Sequence, residues 1–388
     1  MPAIVPSDAP PAGAAGTGKR FRDGTHRIRT PEETWAWLAA VLPRAGITRV
    51  ADVTALDGLG IPVCQAVRPA GRNLAVSQGK GASLAAARVS AAMEAIELWH
   101  AEDLSHLPQM DLPLCEMRSA EVLPPSCLRW SGVAVPDGLS LSWVRARSLT
   151  RDRHGWLPRA QLELNFDVPT GVSPQWFELT SNGLASGNCR EEALLHALCE
   201  LIERHALYLA RREPQREVAL APETIGDPWA VEAIGRFQAA GARLAVHDAT
   251  WEVGVPTIVA DLVLPDLPHV FRGSGCHPSP AVALSRALTE AAQSRLTYIS
   301  GARDDLVPFV GEPGDDAVFR AFAVPTATAP FTRLRDVSSA DVAEDLAKVV
   351  RRLEALGHEA FWVDLTRLDV GVPVVFAFVP GLHENPHG

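Results

Sequence analysis

The sequence predicts a mixed α/β fold in which helices cover mixed β-sheets. The chain has 388 residues, of which 47% are hydrophobic, so it is long enough to bury a sizeable core. Segments with the apolar spacing of amphipathic helices alternate with short apolar segments that are typical of strands. One arrangement of these segments occurs three times. We therefore expect a fold built from repeated helix–strand–strand units.

Each repeat is marked by the same short motif between its two strands. A helical segment ends at a glycine, an apolar strand runs to Asp-x-Thr, and a Gly-Ile/Val-Pro turn opens a second apolar strand. The marker residues are Gly46, Asp52, Thr54, Gly60 and Pro62 in the first copy, Gly241, Asp248, Thr250, Gly254 and Pro256 in the second, and Gly357, Asp364, Thr366, Gly371 and Pro373 in the third. Three helix–strand–strand units follow from this spacing.

Composition and charge exclude several classes of protein. The formal net charge of -10 argues against a general binder of nucleic acids or membrane surfaces, since both need a basic face. The six cysteines include no Cys-x-x-Cys pair, which indicates the reduced thiols of a cytoplasmic protein and not a zinc site or a disulfide framework. No run of about 18 apolar residues is present, so no membrane-spanning helix is predicted.

We predict one folded domain preceded by a short arm. The first residues are rich in Ala, Pro and Gly, and they lack the basic start and continuous apolar stretch of a secretory signal. Residues 1–30 are therefore expected to form a disordered N-terminal arm, and residues 31–388 to form the domain.

Two helical segments each carry a Glu-x-x-Glu pair, Glu94 with Glu97 and Glu200 with Glu203. Positions i and i+3 share one helix face, so each pair directs two carboxylates toward one point. Mg²⁺ takes oxygen ligands of this kind together with phosphate oxygens and water. A single pair is better explained as a solvated helix face with local ion pairs. Two matched pairs favour a Mg²⁺ site.

A glycine turn precedes each acidic segment at the same distance. The first Glu of each pair falls thirteen residues after Gly81 in one segment and after Gly187 in the other. Such turns bring backbone N–H groups close to an anion at a helix N-terminus, although a plain helix-entry turn explains each one taken alone. The Walker spacing is absent. A third stretch, from Gly275 to Glu290 and Gln293, has the same character with a two-residue offset.

Three basic residues near these stretches are candidates for pairing with phosphate oxygens. They are Lys80 in the first turn, Arg204 directly after Glu203, and Arg295 close to Gln293. A guanidinium offers forked donors that match a phosphate group. The alternatives are a solvated lysine and arginines that pair with nearby glutamates.

Taken together, these motifs resemble the YcaO superfamily. They are Ser77-Gln-Gly-Lys-Gly-Ala82, Ser90-x-x-x-Glu94-x-x-Glu97, Ser181-Asn-Gly-Leu-Ala-Ser-Gly-Asn-Cys-Arg-Glu-Glu192 and Glu200-x-x-Glu203-Arg204. A third stretch, from Arg286 to Asp305, is similar to the members found beside a TfuA partner protein. The resemblance covers about Gly46 to the C-terminus, and it implies a YcaO-type fold.

The resemblance also implies an ATP site built from helices, without a P-loop. The Mg²⁺ ions that bridge the triphosphate would be held by Glu94, Glu97, Glu200 and Glu203. The residues in nucleotide-contacting positions would be Lys80, Ser90, Asn188, Glu192, Arg204, Gln293 and Arg295. The four glutamates and Arg204 would act in catalysis by neutralising charge on the transferring phosphoryl group.

Two positions depart from the family pattern. Leu98 follows Glu97 where the first motif normally has an arginine, so one phosphate-pairing cation is missing or comes from elsewhere. Ala185 stands where some members have a serine. The Glu97-Leu-Trp-His100 sequence is common in the TfuA-associated branch, and we interpret it as a mark of that subclass.

The reaction that the resemblance implies is ATP-dependent activation of a backbone amide in a ribosomally made peptide or protein. The amide oxygen is a poor leaving group because of amide resonance, and phosphorylation overcomes this. The C-terminus lacks the Pro-x-Pro-x-Pro tail of azoline-forming members, which favours a thioamide product made with a TfuA-like partner. The alternatives are an azoline-forming cyclodehydratase, a non-catalytic ATP-binding regulator, and a structural protein with solvated glutamates. The sequence leaves open whether the chain forms a homodimer.

Overall fold

The computed structural model describes residues 16–117, 131–134, 136, 138–166, 176–302 and 316–383. Its helices are α1 (Pro31–Leu38), α2 (Leu84–Ala101), α3 (Leu114–Met117), α4 (Arg190–Arg212), α5 (Pro228–Ala239), α6 (Pro280–Ser300), α7 (Ala317–Ala321) and α8 (Val342–Ala355). Its strands are β1 (Arg49–Asp52), β2 (Val63–Val67), β3 (Val76–Lys80), β4 (Gln109–Pro113), β5 (Ser140–Ser148), β6 (His154–Pro158), β7 (Leu184–Ser186), β8 (Val218–Ala221), β9 (Arg243–Asp248), β10 (Thr257–Leu264), β11 (Leu267–Cys276), β12 (Ala329–Pro330), β13 (Phe361–Asp364) and β14 (Val374–Phe378).

The strands form three sheets, which confirms the predicted mixed α/β fold. Their orders are β1-β2-β3, β11-β10-β9-β8-β12 and β4-β5-β13-β14-β7, with β6 beside β5. The pairs are antiparallel except for the parallel pair of β8 and β12. The strands β3, β7 and β11 each lie at one edge of their sheet.

The three sequence repeats fold as three equivalent units. The first contains α1, β1 and β2, the second α5, β9 and β10, and the third α8, β13 and β14. In the first, the Asp52 carboxylate accepts the Thr54 N–H at 2.9 Å, and the Thr54 hydroxyl accepts the Val63 N–H at 3.1 Å. The same two bonds recur at Asp248, Thr250 and Thr257 and at Asp364, Thr366 and Val374. The Asp-x-Thr motif therefore fixes how the second strand returns beside the first.

Each unit also contains an edge strand, a glycine turn and a long helix. The first unit ends with β3 and α2, and the second with β11 and α6, whereas the third takes β7 and α4 from earlier in the chain. A Cβ added to Gly79 would lie 1.9 Å from the Ala91 nitrogen, and one added to Gly273 would lie 2.2 Å from the Ala287 oxygen. Glycine at these positions lets strand and helix pack backbone to backbone.

The hydrophobic core is divided among the three units. One buried cluster surrounds α2, a second surrounds α4, and a third surrounds α6. Each of these helices also contacts the edge strand of another unit, α2 on β7, α4 on β11 and α6 on β3. These contacts bring the three units together through their edge strands and long helices.

The prediction of a disordered arm over residues 1–30 is wrong for residues 16–30. Lys19 forms a fully buried ion pair with Asp345 of α8, and Thr17 donates its hydroxyl to Asp341. The Ile28 N–H bonds to the Glu192 carboxylate at 2.6 Å. Local composition missed these contacts because the partners lie more than 160 residues away in the sequence.

Three predictions touch residues outside the described ranges. They concern residues 1–15 of the arm, residues 303–305 at the end of the third stretch and residues 384–388 of the C-terminal tail. Among the described helices, none combines the length and the apolar character that a membrane crossing requires.

Candidate nucleotide site

A cavity of about 760 Å³ lies where the three units meet. The edge strands line it with alternate residues, because successive side chains of a strand point to opposite faces. Next to the glycine turns, these residues are Gln78 and Lys80 of β3, Leu184 and Ser186 of β7, and Arg272 and Ser274 of β11. In each strand they are the first and third residues before the glycine that leads to the helix. The rest of the wall comes mainly from α2, α4, α6 and the N-terminal arm.

Six carboxylates from the three helices line this cavity: Glu192 near the start of α4, and five others that we call the acidic cluster. They are Glu94, Glu97, Glu200, Glu203 and Glu290. Glu290 occupies on α6 the position that Glu94 has on α2 and Glu200 on α4, once the two extra residues after Gly275 are counted. The two predicted acidic pairs therefore face the same space, and a fifth carboxylate joins them.

Each edge strand holds a carboxylate from the helix of another unit. The residue before the glycine turn makes the contact: Lys80 Nζ with Glu290 Oε2 at 2.5 Å, Ser186 N with Glu97 Oε1 at 2.7 Å, and Ser274 Oγ with Glu203 Oε1 at 2.7 Å. The contacts run from the first unit to the second, from the second to the third and from the third to the first. This closed cycle means that all three units hold the acidic cluster in place.

Burial makes two of these carboxyls hard to ionise. It raises the pKa of Glu97 to about 8, and the charges of Glu94 and Glu200 add to the rise although Ser186 opposes it with two hydrogen bonds. Burial also raises the pKa of Glu203, against the influence of Arg204. The raised pKa values mean that the surroundings do not fully stabilise the ionised form of these two carboxyls. A further cation in the cavity would favour their ionisation.

Cations inside the cavity offset part of this charge. Burial opposes ionisation of Glu290, but Lys80 and Arg204 outweigh it and lower the pKa of that carboxyl. Burial would lower the pKa of Arg204, but Glu203 and Glu200 raise it above its ordinary value. The guanidinium lies 3.5 Å from each of these two glutamates. Arg204 therefore stays charged in the middle of the acidic cluster.

The N-terminal arm and α1 line the cavity beside the N-terminus of α4. Thr34 donates its hydroxyl to Asn188 Oδ1 at 2.8 Å, and Asn188 in turn donates its backbone and side-chain N–H groups to Glu192, both at 3.0 Å. Arg27 lies 4.0 Å from the same Glu192 carboxylate. Burial lowers the pKa of Arg27, and Glu192 partly offsets this. The arm thus adds positive charge at this end of the cavity.

A family model described as a YcaO cyclodehydratase that binds ATP and Mg²⁺ matches residues 78–383. The chain belongs to the YcaO family. The predicted family is confirmed, and ATP and Mg²⁺ are confirmed with it as the cofactors of the family.

Individual YcaO relatives agree with this result. An uncharacterized protein of Mycobacterium tuberculosis is 41% identical, over 93% of this chain and 83% of its own length. A protein of Rhizobium leguminosarum bv. trifolii, described as lying in the tfuA 3′ region, is 35% identical over 96% of this chain and 93% of its own. The structure of YcaO from Methanopyrus kandleri, bound with AMPPCP and Mg²⁺, has a TM-score of 0.75 at 24% identity and covers 95% of each chain. That likeness shows that the fold is shared.

The structure brings together all but one of the predicted site residues. Those that line the cavity are Lys80, Ser90, Glu94, Glu97, Asn188, Glu192, Glu200, Glu203, Arg204 and Gln293. Arg295 is the exception, because the structure places it outside the cavity lining. Its side chain is 3% exposed and pairs with Asp57 at 3.3 Å and Asp266 at 2.5 Å, outside the cavity lining. The roles of all eleven residues stay predictions.

Sequence reasoning missed six charged residues of the lining: Asp23, Arg27, Arg29, Arg272, Arg286 and Glu290. The two-residue offset of the third stretch was a sufficient signal for Glu290, since it aligns this residue with Glu94 and Glu200. Arg286 lies four residues, about one helical turn, before Glu290 and so shares its face. No local signal marks Arg27 or Arg29, because the composition of their segment predicts a disordered arm.

The acidic cluster fits Mg²⁺ bound together with phosphate. In the part of the chain that the structure describes, no three His, Cys, Asp or Glu side chains form a ready-made metal site. Mg²⁺ usually keeps few protein carboxylates and completes its shell with phosphate oxygens and water. Burial and neighbouring carboxylates raise the pKa of Glu97, so its ionised form needs a nearby cation. A bound Mg²⁺ ion would supply that positive charge. The donor set and its electrostatics therefore agree with the cofactors of the family.

Proposed function

We propose that this chain activates a backbone amide of a peptide or protein with ATP, and that its product is a thioamide made with a TfuA-like partner. The observation that carries the proposal is the acidic cluster, held by all three units around Arg204 in one cavity. The Rhizobium relative described as lying in the tfuA 3′ region supports the choice of partner.

The residues of the cavity have distinct tasks in this proposal. Glu94, Glu97, Glu200 and Glu203 would hold Mg²⁺, which supplies positive charge against the triphosphate when it is bound. Arg204 stays charged and would stabilise the negative charge that builds up on the transferring phosphoryl group. Asn188 and Glu192 would orient the nucleotide near the arm. Lys80 lowers the pKa of Glu290 and would also pair with a phosphate oxygen.

Azoline formation is the second candidate, because the matching family model is described as a cyclodehydratase. The two reactions share amide activation and differ in the nucleophile, a sulfide equivalent in one and a neighbouring Cys, Ser or Thr side chain in the other. Mass spectrometry of a candidate peptide treated with the protein, ATP and sulfide separates them. Exchange of oxygen for sulfur increases the mass, whereas cyclodehydration removes one water.

The variant Glu200→Gln tests the site itself. Glu200 accepts the Gly183 N–H at 3.0 Å, and a glutamine oxygen can keep that bond, so the fold should survive. We expect the affinity for Mg-ATP to fall at least tenfold, or about 1.4 kcal/mol, because a metal ligand is lost. Calorimetric titration measures this affinity.

The matched control is Glu213→Gln, which changes an exposed carboxylate at the end of the same helix, outside the cavity lining. It should bind Mg-ATP as the native protein does. Unchanged binding by Glu200→Gln would contradict the metal assignment.

A further inference from the structure

The two helices with Glu-x-x-Glu pairs differ in the residue that follows the pair. On α4 that residue is Arg204, which lines the cavity and stays charged beside its glutamates. On α2 the equivalent residue is Leu98, which also lines the cavity but carries no charge. The pair on α2 therefore lacks the cation that its counterpart on α4 has, and another part of the chain must supply one if the two pairs act alike.

The lysine and arginine side chains that line the cavity are partnered unequally. Four of them have a carboxylate oxygen within 4.0 Å, namely Lys80, Arg204, Arg272 and Arg27. A fifth, Arg286, donates to the backbone carbonyl of Cys276 at 3.5 Å. Arg29 also lines the cavity, and it forms no hydrogen bond or ion pair with any residue that the structure describes. Its donors are therefore available to a ligand.

The Arg29 guanidinium is held in place without being neutralised. Its Cζ lies over the indole ring of Trp37, 5.0 Å from the ring centroid, and Trp37 packs against the buried cluster that surrounds α2. An aromatic ring holds a guanidinium through its π face and leaves the N–H donors at the edge of the guanidinium free for an anion. Glu33 of α1 pairs with Arg20 instead.

The start of α1 fixes the position of Arg29 in the chain. Thr30 caps the helix: its hydroxyl accepts the Glu33 N–H at 3.2 Å, and its own N–H donates to the Glu33 carboxylate at 3.0 Å. Arg29 is the residue directly before this capping box. One turn later, Thr34 bonds to Asn188 in the glycine turn before α4. These bonds place Arg29 at the cavity before any ligand binds.

An unpaired cation in the same cavity as the acidic cluster suits a ligand that carries both kinds of charge. The carboxylates attract a metal ion, and a guanidinium attracts phosphate oxygens, which match its forked donors. We infer that Arg29 binds a phosphate group of Mg-ATP and supplies the cation that α2 lacks at Leu98. This inference rests on the proposed function and adds a residue of the arm to its nucleotide site.

Calorimetric titration of the full chain with Mg-AMPPCP tests this inference. Arg29→Met keeps a long side chain against Trp37 and removes the charge, so it should weaken binding by about tenfold or more through loss of a charge-assisted hydrogen bond. Arg29→Lys keeps the charge and should weaken binding by about threefold or less. Adding Leu98→Arg to Arg29→Met should restore most of the lost affinity, because it places a guanidinium on α2 where α4 has Arg204.

Arg22→Met is the matched control. Arg22 lies on the same arm, but it is exposed and is not part of the cavity lining. The substitution removes the same charge from the arm and should change the affinity by less than about twofold, because solvent and salt screen an exposed charge. Urea unfolding without ligand checks that the variants keep the native fold, and Arg29→Gln replaces Arg29→Met if methionine lowers the stability.

Equal affinity of Arg29→Met and the native protein for Mg-AMPPCP would overturn the inference and leave the proposed function standing. Equal losses in Arg29→Lys and Arg29→Met would also overturn it, because the charge would then have no part in binding. If Leu98→Arg restored no affinity, Arg29 would not supply the cation that α2 lacks. If the native protein bound no Mg-AMPPCP, the proposed function itself would fail.

Discussion

The raised pKa of Glu97 makes the stability of the folded protein depend on pH. Its pKa of about 8 means that the folded, metal-free protein keeps a proton there that an unfolded glutamate loses near pH 4.5. The stabilising effect of this proton is fully present below pH 4.5 and is lost as the pH rises to 8. Between these values the folded state binds one more proton, so stability falls by about 1.4 kcal/mol per pH unit.

The prediction is that the native protein loses stability relative to Glu97→Gln as the pH rises from 6 to 8. Glutamine keeps an acceptor for the two Ser186 donors but does not titrate. Urea unfolding of both proteins in EDTA at several pH values measures the difference. Two parallel stability curves would show that Glu97 ionises at its ordinary pKa.

At the same scale, ten of the eleven predicted site residues line the cavity, and Arg295 does not. Glu290 and Gln293 are three residues apart and share a helix face, whereas Arg295 is five residues after Glu290, roughly 140° around the helix. Helical spacing alone would have removed Arg295 from the site. Its actual partners could not be read from spacing, because Asp57 and Asp266 lie in other segments.

At the scale of elements, the N-terminal arm is the part that depends most on distant partners. Lys19 and Asp345 form an ion pair with both side chains fully buried, and Lys19 Nζ also lies 3.0 Å from His26 Nδ1. Removing one partner leaves a buried charge unpaired, which is strongly destabilising. We expect Lys19→Met to lower the free energy of unfolding by about 3 kcal/mol and to expose the arm to proteases.

Arg20→Met is the matched control for this prediction. Arg20 also pairs with a glutamate, Glu33, but both side chains are largely exposed, and solvent screens such pairs. It should unfold at nearly the native urea concentration and resist limited proteolysis. Equal effects of the two substitutions would mean that the buried pair does not hold the arm.

The sequence predicted the repeated units correctly because their defining contacts are local. The bonds from Asp52 to Thr54 and from Thr54 to Val63 span two and nine residues, and the motif that makes them is visible in each copy. The arm could not be predicted in this way. Its composition resembles a flexible lead-in, and only the folded positions of Asp345 and Glu192 give it partners.

At the scale of the whole molecule, the site exists because three units close on one another. Each unit has its own buried cluster, and the edge strand of each holds a carboxylate of the next. The sequence predicted two helices with Glu-x-x-Glu pairs and a third helix of similar character. It did not predict that they converge, because no local sequence pattern indicates which edge strand contacts which helix. Bringing these carboxylates together is unfavourable in free energy, and the packing of all three units offsets it.

A ligand that binds the acidic cluster should therefore stabilise all three units at once. Mg-ATP at roughly 100 times its Kd should add about 2.7 kcal/mol to the free energy of unfolding. Hydrogen exchange should slow along α2, α4 and α6 together, because each supplies carboxylates to the cavity. ATP with EDTA is the control and should protect these helices much less, since uncompensated phosphates would face the glutamates. Protection confined to one helix would show that the ligand binds a single unit, and that the convergence of the three has no part in holding it.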